Sequence, residues 1–128
     1  MRLFDRAACL AIALTFAAPA LPAPPGTAQS FLDRANRLKA KGPLAFFDRD
    51  YARLKAEATA AGKSIADDRI AAERAGRPIL YCSPWPRAQL GSFEFVDGLA
   101  AIPARERATM TLKDGMIRIL QKKYPCRR

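Results

Sequence analysis

After an apolar run near the N-terminus, hydrophobic residues recur at helical spacing from about position 29 onwards. Between positions 29 and 41, the apolar residues Phe31, Leu32, Ala35 and Leu38 follow the spacing of one helix face, and the basic residues Arg34, Arg37, Lys39 and Lys41 lie on the other sides. This arrangement predicts an amphipathic helix over 29–41. Gly42 and Pro43 then mark the end of this helix and the first turn of the next one.

The most regular hydrophobic pattern in the chain comes next. It predicts a second helix over 43–61, which Gly62 terminates. Ser64, with Asp67 three residues later, forms the pattern of a capping box and predicts a third helix that ends near Ala75. The buried face of the second helix is predicted to comprise Leu44, Phe47, Tyr51, Leu54, Ala58 and Ala61.

Three shorter helices are predicted towards the C-terminus. Ser92 can cap the first, whose broad apolar face comprises Phe93, Phe95, Val96, Leu99 and Ala100. Pro103 fits the first turn of a helix over 104–110, whose charged residues Arg105, Glu106 and Arg107 we expect to be solvated. Thr111, with Asp114 three residues later, predicts the cap of the last helix. The buried stripe of that helix is predicted to comprise Leu112, Met116, Ile119 and Leu120.

The segment 78–91 is the main irregular part of the chain. Its prolines leave room for at most a very short strand over 79–81. It also contains the only tryptophan, Trp85, with Arg87 two residues later. Two interpretations of Trp85 are open: it anchors the segment in the core, or it is an exposed contact residue, since Trp and Arg contribute strongly to binding interfaces. Trp85 and Arg87 are therefore the candidate binding residues.

No competing strand pattern occurs elsewhere, so the sequence predicts an all-α fold, a single small bundle of five to six short helices. The N-terminal apolar run, over 7–18, is too short to span a bilayer, which takes roughly 20 residues. With its charged start and small-residue end it is typical of a cleaved signal peptide, the alternative being a buried N-terminal helix. Cleavage after Ala20 or after Ala28 is possible, and we favour Ala28, because the Pro-rich stretch 19–25 would otherwise be an odd spacer. The expected units are a signal peptide over 1–28 and a helical domain over 29–128.

The three cysteines are divided by this cleavage. Cys9 leaves with the signal peptide, and Cys82 and Cys126 remain as an even pair in a chain that is exported to an oxidising compartment. One intramolecular disulfide between them is the expected arrangement. The alternative is a pair of free or intermolecular thiols.

The amino-acid composition excludes some classes of enzyme and indicates the charge of a partner. The chain has no histidine, which excludes Ser-His-Asp and Cys-His catalysis, and two cysteines without histidine make a poor metal site. We therefore expect no catalytic residues, no metal, no cofactor and no enzymatic activity. The formal charge of +10 indicates an anionic partner or simply a basic surface. Export and the absence of a basic helix with interleaved aromatic residues argue against nucleic-acid binding.

Several stretches resemble the Rap/Tai family of immunity proteins, which protect against peptidoglycan amidase effectors of type VI secretion. Two stretches carry most of the resemblance. The first is LYCSP over 80–84 followed by LGSFEF over 90–95. The second is IPARERATMTL over 102–112, continuing to KKYPC over 122–126. The upstream stretch LKAKGPLA over 38–45 is also similar. The resemblance covers most of residues 30–126.

The resemblance implies a periplasmic, helical domain that carries a disulfide and often dimerises. Members of this family bind a secreted cell-wall amidase and block its active site, so they are inhibitors and not enzymes. Cys82 and Cys126 match the paired cysteines of the family, whereas the inhibitory contact residues cannot be transferred to this chain. The expected function is an exported, non-catalytic inhibitor of such an amidase. The alternative is a periplasmic, envelope-associated structural or interaction protein without an amidase partner.

Overall fold

The computed structural model describes residues 26–127 and consists of helices joined by short connections. Among these residues there is no strand, so the predicted all-α class is confirmed, as is the predicted number of helices. The signal-peptide prediction over 1–28 lies outside the described residues except for its last three positions. The elements are α1 (Ala28–Ala40), the 3-10 helix η1 (Gly42–Phe47), α2 (Arg49–Arg74), α3 (Ser92–Ala101), α4 (Ala104–Arg107) and α5 (Leu112–Lys123).

The helices α1 and α5 begin side by side, each capped by a threonine. The Thr27 hydroxyl accepts a hydrogen bond from the Ser30 amide at 3.1 Å, and the Thr111 hydroxyl accepts one from the Asp114 amide at 3.1 Å. Thr27 and Thr111 also pair with each other in an isolated antiparallel bridge. The predicted cap at Thr111 is therefore confirmed. The first helix begins slightly earlier than predicted, because Thr27 satisfies amides at its N-terminus.

The core lies where α1, α3 and α5 meet, and two of its side chains, Ala28 and Leu99, are fully buried. The helices approach closely at Gly115, where an added Cβ would lie 2.8 Å from a terminal methyl of Leu99. A glycine in α5 therefore makes room for the best-buried residue of α3. Around this point the core comprises Ala28, Phe31, Leu32, Leu38, Leu54, Ile65, Tyr81, Phe95, Leu99, Ile102, Leu112, Met116 and Leu120.

The longest helix is α2, and two predictions about its course are wrong. Gly62 does not end a helix, and Ser64 does not begin one, because α2 continues through both from Arg49 to Arg74. A single interior glycine costs only about 1 kcal/mol relative to alanine, and the surrounding sequence is rich in alanine. Ile65, in the next turn, is buried and continues the apolar face. The Ser64 hydroxyl instead accepts a hydrogen bond from the Lys113 ammonium of α5 at 2.8 Å.

The start of the predicted second helix is also wrong. Residues 42–47 form a 3-10 helix, and the α-helix begins only at Arg49. The Asp48 carboxylate accepts a hydrogen bond from the Asp50 amide at 2.8 Å and so caps α2. The change from three to 3.6 residues per turn at this junction rotates the side chains that precede it. Consequently none of the residues of η1 is buried.

The C-terminal half follows the prediction with local corrections. The first residue outside α3 is Gly91 and not Ser92, and the Gly91 amide donates to the Glu94 carboxylate at 3.2 Å. The helix α4 ends at Arg107, three residues before the predicted end. No strand forms over 79–81. Within the predicted apolar face of α3, Phe95 and Leu99 are buried but Phe93 is exposed.

Arg107 of α4 is half-buried, so the prediction that it is solvated is wrong. Its guanidinium donates to the carbonyl oxygens of Ala100, at 2.9 Å, and of Ile102, at the end of α3. Its Nε donates to the Gln29 side-chain oxygen in α1 at 2.7 Å. One half-buried arginine therefore joins the C-terminal end of α3 to the first turn of α1, which sequence spacing does not reveal.

Candidate functional site

The irregular segment between α2 and α3 is tied to the end of α5 at two points. Cys82 is disulfide-bonded to Cys126, with 4.9 Å between their Cα atoms, and its amide donates to the Tyr124 carbonyl at 2.9 Å. The predicted disulfide is therefore confirmed. Seven residues later, the Tyr124 hydroxyl donates to the carbonyl of Gln89 at 3.0 Å and accepts from its amide at 3.3 Å. We refer to residues 82–89, which lie between these two ties, as the Trp85 loop.

Trp85 projects from this loop into solvent, with 92 % of its surface exposed. The interpretation that it anchors the segment in the core is therefore wrong, because Tyr81, at 4 % exposure, takes that place. Arg87 is exposed on the same loop, and among the described residues it forms no ion pair. The peptide bond between Trp85 and Pro86 is cis. The two candidate binding residues thus lie two positions apart, and both are accessible.

An ion pair strengthens the second tie of the loop. The Lys123 ammonium donates to the Glu94 carboxylate at 2.7 Å and to the Gln89 carbonyl at 2.9 Å. The hydrogen bond from Lys123, supported by the Gly91 amide, lowers the pKa of the Glu94 carboxyl below its ordinary value. The same bond with Glu94 raises the pKa of Lys123. Both groups are therefore charged near neutral pH and connect the loop, α3 and α5.

A second exposed aromatic region lies at the other connection, between α1 and α2. Leu44, Phe46 and Phe47 of η1 are all exposed, Phe47 to 88 %. Phe46 contacts Tyr51 of α2 edge-on, with 5.3 Å between the ring centroids. The prediction that Leu44, Phe47 and Tyr51 belong to the core is therefore wrong. We refer to Leu44, Phe46 and Phe47 as the η1 patch.

The charged residues that precede and follow the η1 patch in the sequence are mainly basic. The nearby acidic residues are ion-paired with other cations: Asp48 pairs with Lys41, and the Asp50 carboxylate lies 3.8 Å from the Arg53 guanidinium. The hydrogen bond from Lys41, supported by the Asp50 amide, lowers the pKa of Asp48. Within the described part of the chain, four neighbouring cations form no ion pair, namely Arg37, Lys39, Arg49 and Lys55. The region therefore combines exposed aromatic rings with unneutralised positive charge.

The concave surface near the Trp85 loop has a different character. A depression between α2 and residues 77–81 is lined mainly by apolar side chains, and the Arg69 guanidinium lies 5.9 Å from the centre of the Tyr81 ring. Its one acidic lining residue, Asp68, is ion-paired with Lys113 at 2.5 Å. This depression therefore offers no pair of carboxylates for acid-base chemistry.

Residues 26–127 contain no group of three or more acidic or cysteine side chains placed to hold a metal ion. No helix in this part of the chain is both long and apolar enough to cross a membrane. No protein-family model matches the chain, and no curated protein or solved structure is significantly similar to it.

Proposed function

We propose that this chain is an exported, non-catalytic binding protein that holds a partner protein through the Trp85 loop. The observation that carries the proposal is the 92 % exposure of Trp85 on a loop that a disulfide and a tyrosine fix at its two ends. A disulfide is expected in an oxidising compartment, which supports export to the periplasm. The resemblance to Rap/Tai immunity proteins supports a secreted peptidoglycan amidase as the partner.

The physical basis is the combination of a large exposed side chain and a constrained backbone. Burying a tryptophan removes a large apolar surface from water, and tryptophan is among the residues that most often dominate an interface. A loop that is already fixed loses less conformational entropy when it binds than a flexible one. Arg87 adds an unpaired positive charge that would favour an acidic surface on the partner.

The test is a binding and inhibition assay with the amidases encoded in the same genome. We expect one of them to bind with nanomolar affinity and to lose peptidoglycan hydrolysis when bound. Trp85→Ala should weaken binding at least about 30-fold, which corresponds to a hot-spot residue. Phe93→Ala is the matched control, because Phe93 is also an exposed aromatic residue but lies outside the loop. Unchanged affinity of Trp85→Ala, or no amidase that binds, would contradict the proposal.

The η1 patch favours a second candidate function, attachment to the anionic surface of a bilayer. Exposed aromatic and aliphatic side chains insert at the headgroup boundary, and nearby cations attract acidic lipids. The four unpaired cations Arg37, Lys39, Arg49 and Lys55 provide this charge complementarity. They also oppose the pairing of two copies through this patch. The dimerisation that the resemblance implies stays a prediction, which sedimentation measurements can test.

Vesicles containing acidic phospholipid distinguish the two candidates. Attachment through the η1 patch requires cosedimentation that falls with added salt and is lost in Phe47→Glu but kept in Phe93→Glu. Equal binding to vesicles of neutral lipid, or equal binding by the two variants, would contradict it. Loss of amidase binding in Phe47→Glu with no vesicle binding by the wild type would instead assign the patch to a protein partner.

A further inference from the structure

The folded domain begins upstream of the cleavage position favoured from sequence. Ala28, the residue that cleavage there would remove last, is fully buried and belongs to the core. Its amide donates to the Met110 carbonyl at 3.0 Å, and the Leu112 amide donates to the Gly26 carbonyl at 3.3 Å. Residues 26–28 are thus part of the packing between α1 and α5.

Cleavage after Ala28 would remove several of these interactions together. The Thr27 hydroxyl that caps α1 would be lost, together with the Thr27 carbonyl that accepts from the Phe31 amide at 3.1 Å. The Leu112 amide would lose its hydrogen-bond partner on a buried residue. An ammonium group would form on Gln29, at the end of α1 where the helix dipole is already positive. The shortened chain would therefore start with an uncapped helix that carries an unfavourable charge.

We infer that signal peptidase processes the exported chain after Ala20, so that the mature protein begins at Leu21. This inference rests on the proposed export. In the reaction, water adds hydroxide to the Ala20 carbonyl carbon, the peptide bond to Leu21 breaks, and the Leu21 amine takes the proton. Ala18 and Ala20 supply the small residues that the peptidase requires on either side of Pro19. The Pro-rich stretch then stays on the mature chain, ahead of the Thr27 cap.

The direct test is the N-terminus of the exported protein. The full chain is expressed with its own leader in a bacterium, and the periplasmic product is examined by intact mass and N-terminal sequencing. We expect a product that starts at Leu21. A product that starts at Gln29 would overturn this inference but leave export intact. A chain that stays unprocessed in the cytoplasm would overturn both this inference and the proposed export.

Two leader variants sharpen the test. Ala20→Arg places a large charged residue at the inferred site, and we expect the precursor to accumulate. Ala23→Arg, three residues further along, keeps both small residues of the site and should be processed as in the wild type. Release of a product starting at Gln29 from the Ala20→Arg precursor would show that the downstream site is used, and would overturn the inference.

Stability gives a measurement that is independent of the peptidase. Chains comprising 21–128 and 29–128 are produced under oxidising conditions and compared by thermal unfolding. We expect the shorter chain to melt at least about 10 °C lower, or not to fold, because it lacks the cap and the pairing with Met110 and Leu112. Thr27→Ala in the longer chain isolates the cap and should lower the melting temperature by about 5 °C. Equal melting of the two chains would contradict the inference.

Discussion

Two regions of this protein expose large aromatic side chains, and they are held in different ways. The Trp85 loop is linked to residues that lie 35 and 44 positions further along the chain, through Gln89 and Cys82 respectively. The η1 patch is held locally, by the Lys41–Asp48 ion pair and by contacts of η1 with the two helices that it joins. The exposure of Trp85 and Phe47 is nearly the same, but the constraints behind it are not.

The difference indicates which region is built to present a rigid surface. Long-range links to the end of α5 fix both ends of the Trp85 loop, so a partner meets a preformed contact. The η1 patch depends on the geometry of one helix junction. Unpaired cations lie close to it in sequence, and this combination suits the deformable, anionic surface of a bilayer. Four predictions test this contrast, from the largest expected effect to the smallest.

Removal of the disulfide should have the largest effect. The double variant Cys82→Ser/Cys126→Ser opens a loop closed over a separation of 44 residues, which should cost about 4 kcal/mol of stability. The melting temperature should fall by about 20 °C. Trp85 should also become more mobile, which its fluorescence anisotropy can report because it is the only tryptophan. Equal melting of the variant and the oxidised wild type would contradict the role of this link.

The helices that carry the two regions each contain an informative glycine. In α5, Gly115→Ala would place a Cβ 2.8 Å from the fully buried Leu99, so we expect a net loss of about 1–2 kcal/mol from overpacking. In α2, Gly62→Ala would meet only the Met116 sulfur, at 3.7 Å, and should gain about 0.5–1 kcal/mol of helix stability. Urea unfolding measures both. Effects of the same sign would contradict the packing described here.

Acid should weaken both regions. The pKa values of Glu94, beside the Trp85 loop, and of Asp48, beside the η1 patch, are lowered by hydrogen bonds from lysines. Their contributions to stability are therefore present above the ordinary values of 4.5 and 3.8 and are lost as the pH falls through the lower, folded-state values. Glu94→Gln and Asp48→Asn should each flatten the pH dependence of unfolding between about pH 2 and pH 5. An unchanged slope in both variants would contradict the assignment.

The smallest effects on stability are expected at the exposed rings themselves. Trp85→Ala and Phe47→Ala should each change the free energy of unfolding by no more than about 0.5 kcal/mol, because these side chains pack little against the core. Tyr81→Ala is the buried contrast, with an expected loss of about 3 kcal/mol. A large destabilisation by Trp85→Ala would mean that the ring supports the fold and is not free for a partner.

The sequence patterns predict those features that depend on local spacing. The cap at Thr111 and the amphipathic character of α1 and α5 follow from residues and positions alone. The pairing of Cys82 with Cys126 is expected on a different ground, because these two cysteines remain after the predicted cleavage. The continuity of α2 through Gly62 does not follow from local spacing, because one glycine is tolerated when tertiary packing continues on both sides. A short 3-10 helix is also hard to distinguish from an α-helix by periodicity, and this error placed Phe47 in the core.

Composition alone points to the segment that contains the candidate site, but it does not predict whether Trp85 is buried or exposed. A lone tryptophan between prolines identifies an unusual segment, and the same residues are compatible with a buried anchor or an exposed contact. Only the packing of Tyr81 into the core and the ties to Tyr124 and Cys126 determine that Trp85 faces solvent. The exposed η1 patch has no distinct sequence signal, because its apolar spacing resembles that of a buried helix face.

The measurement that tests the central claim most directly is the fluorine NMR spectrum of the protein labelled with fluorotryptophan. Because the chain has a single tryptophan, the label gives one resonance, which reports on Trp85 alone. Titration with the amidase that the protein binds should shift or broaden this resonance with the same midpoint as the inhibition of hydrolysis, and Phe47→Ala should leave the response unchanged. A resonance that keeps its position and width while the amidase is bound would contradict the claim that the Trp85 loop is the binding surface.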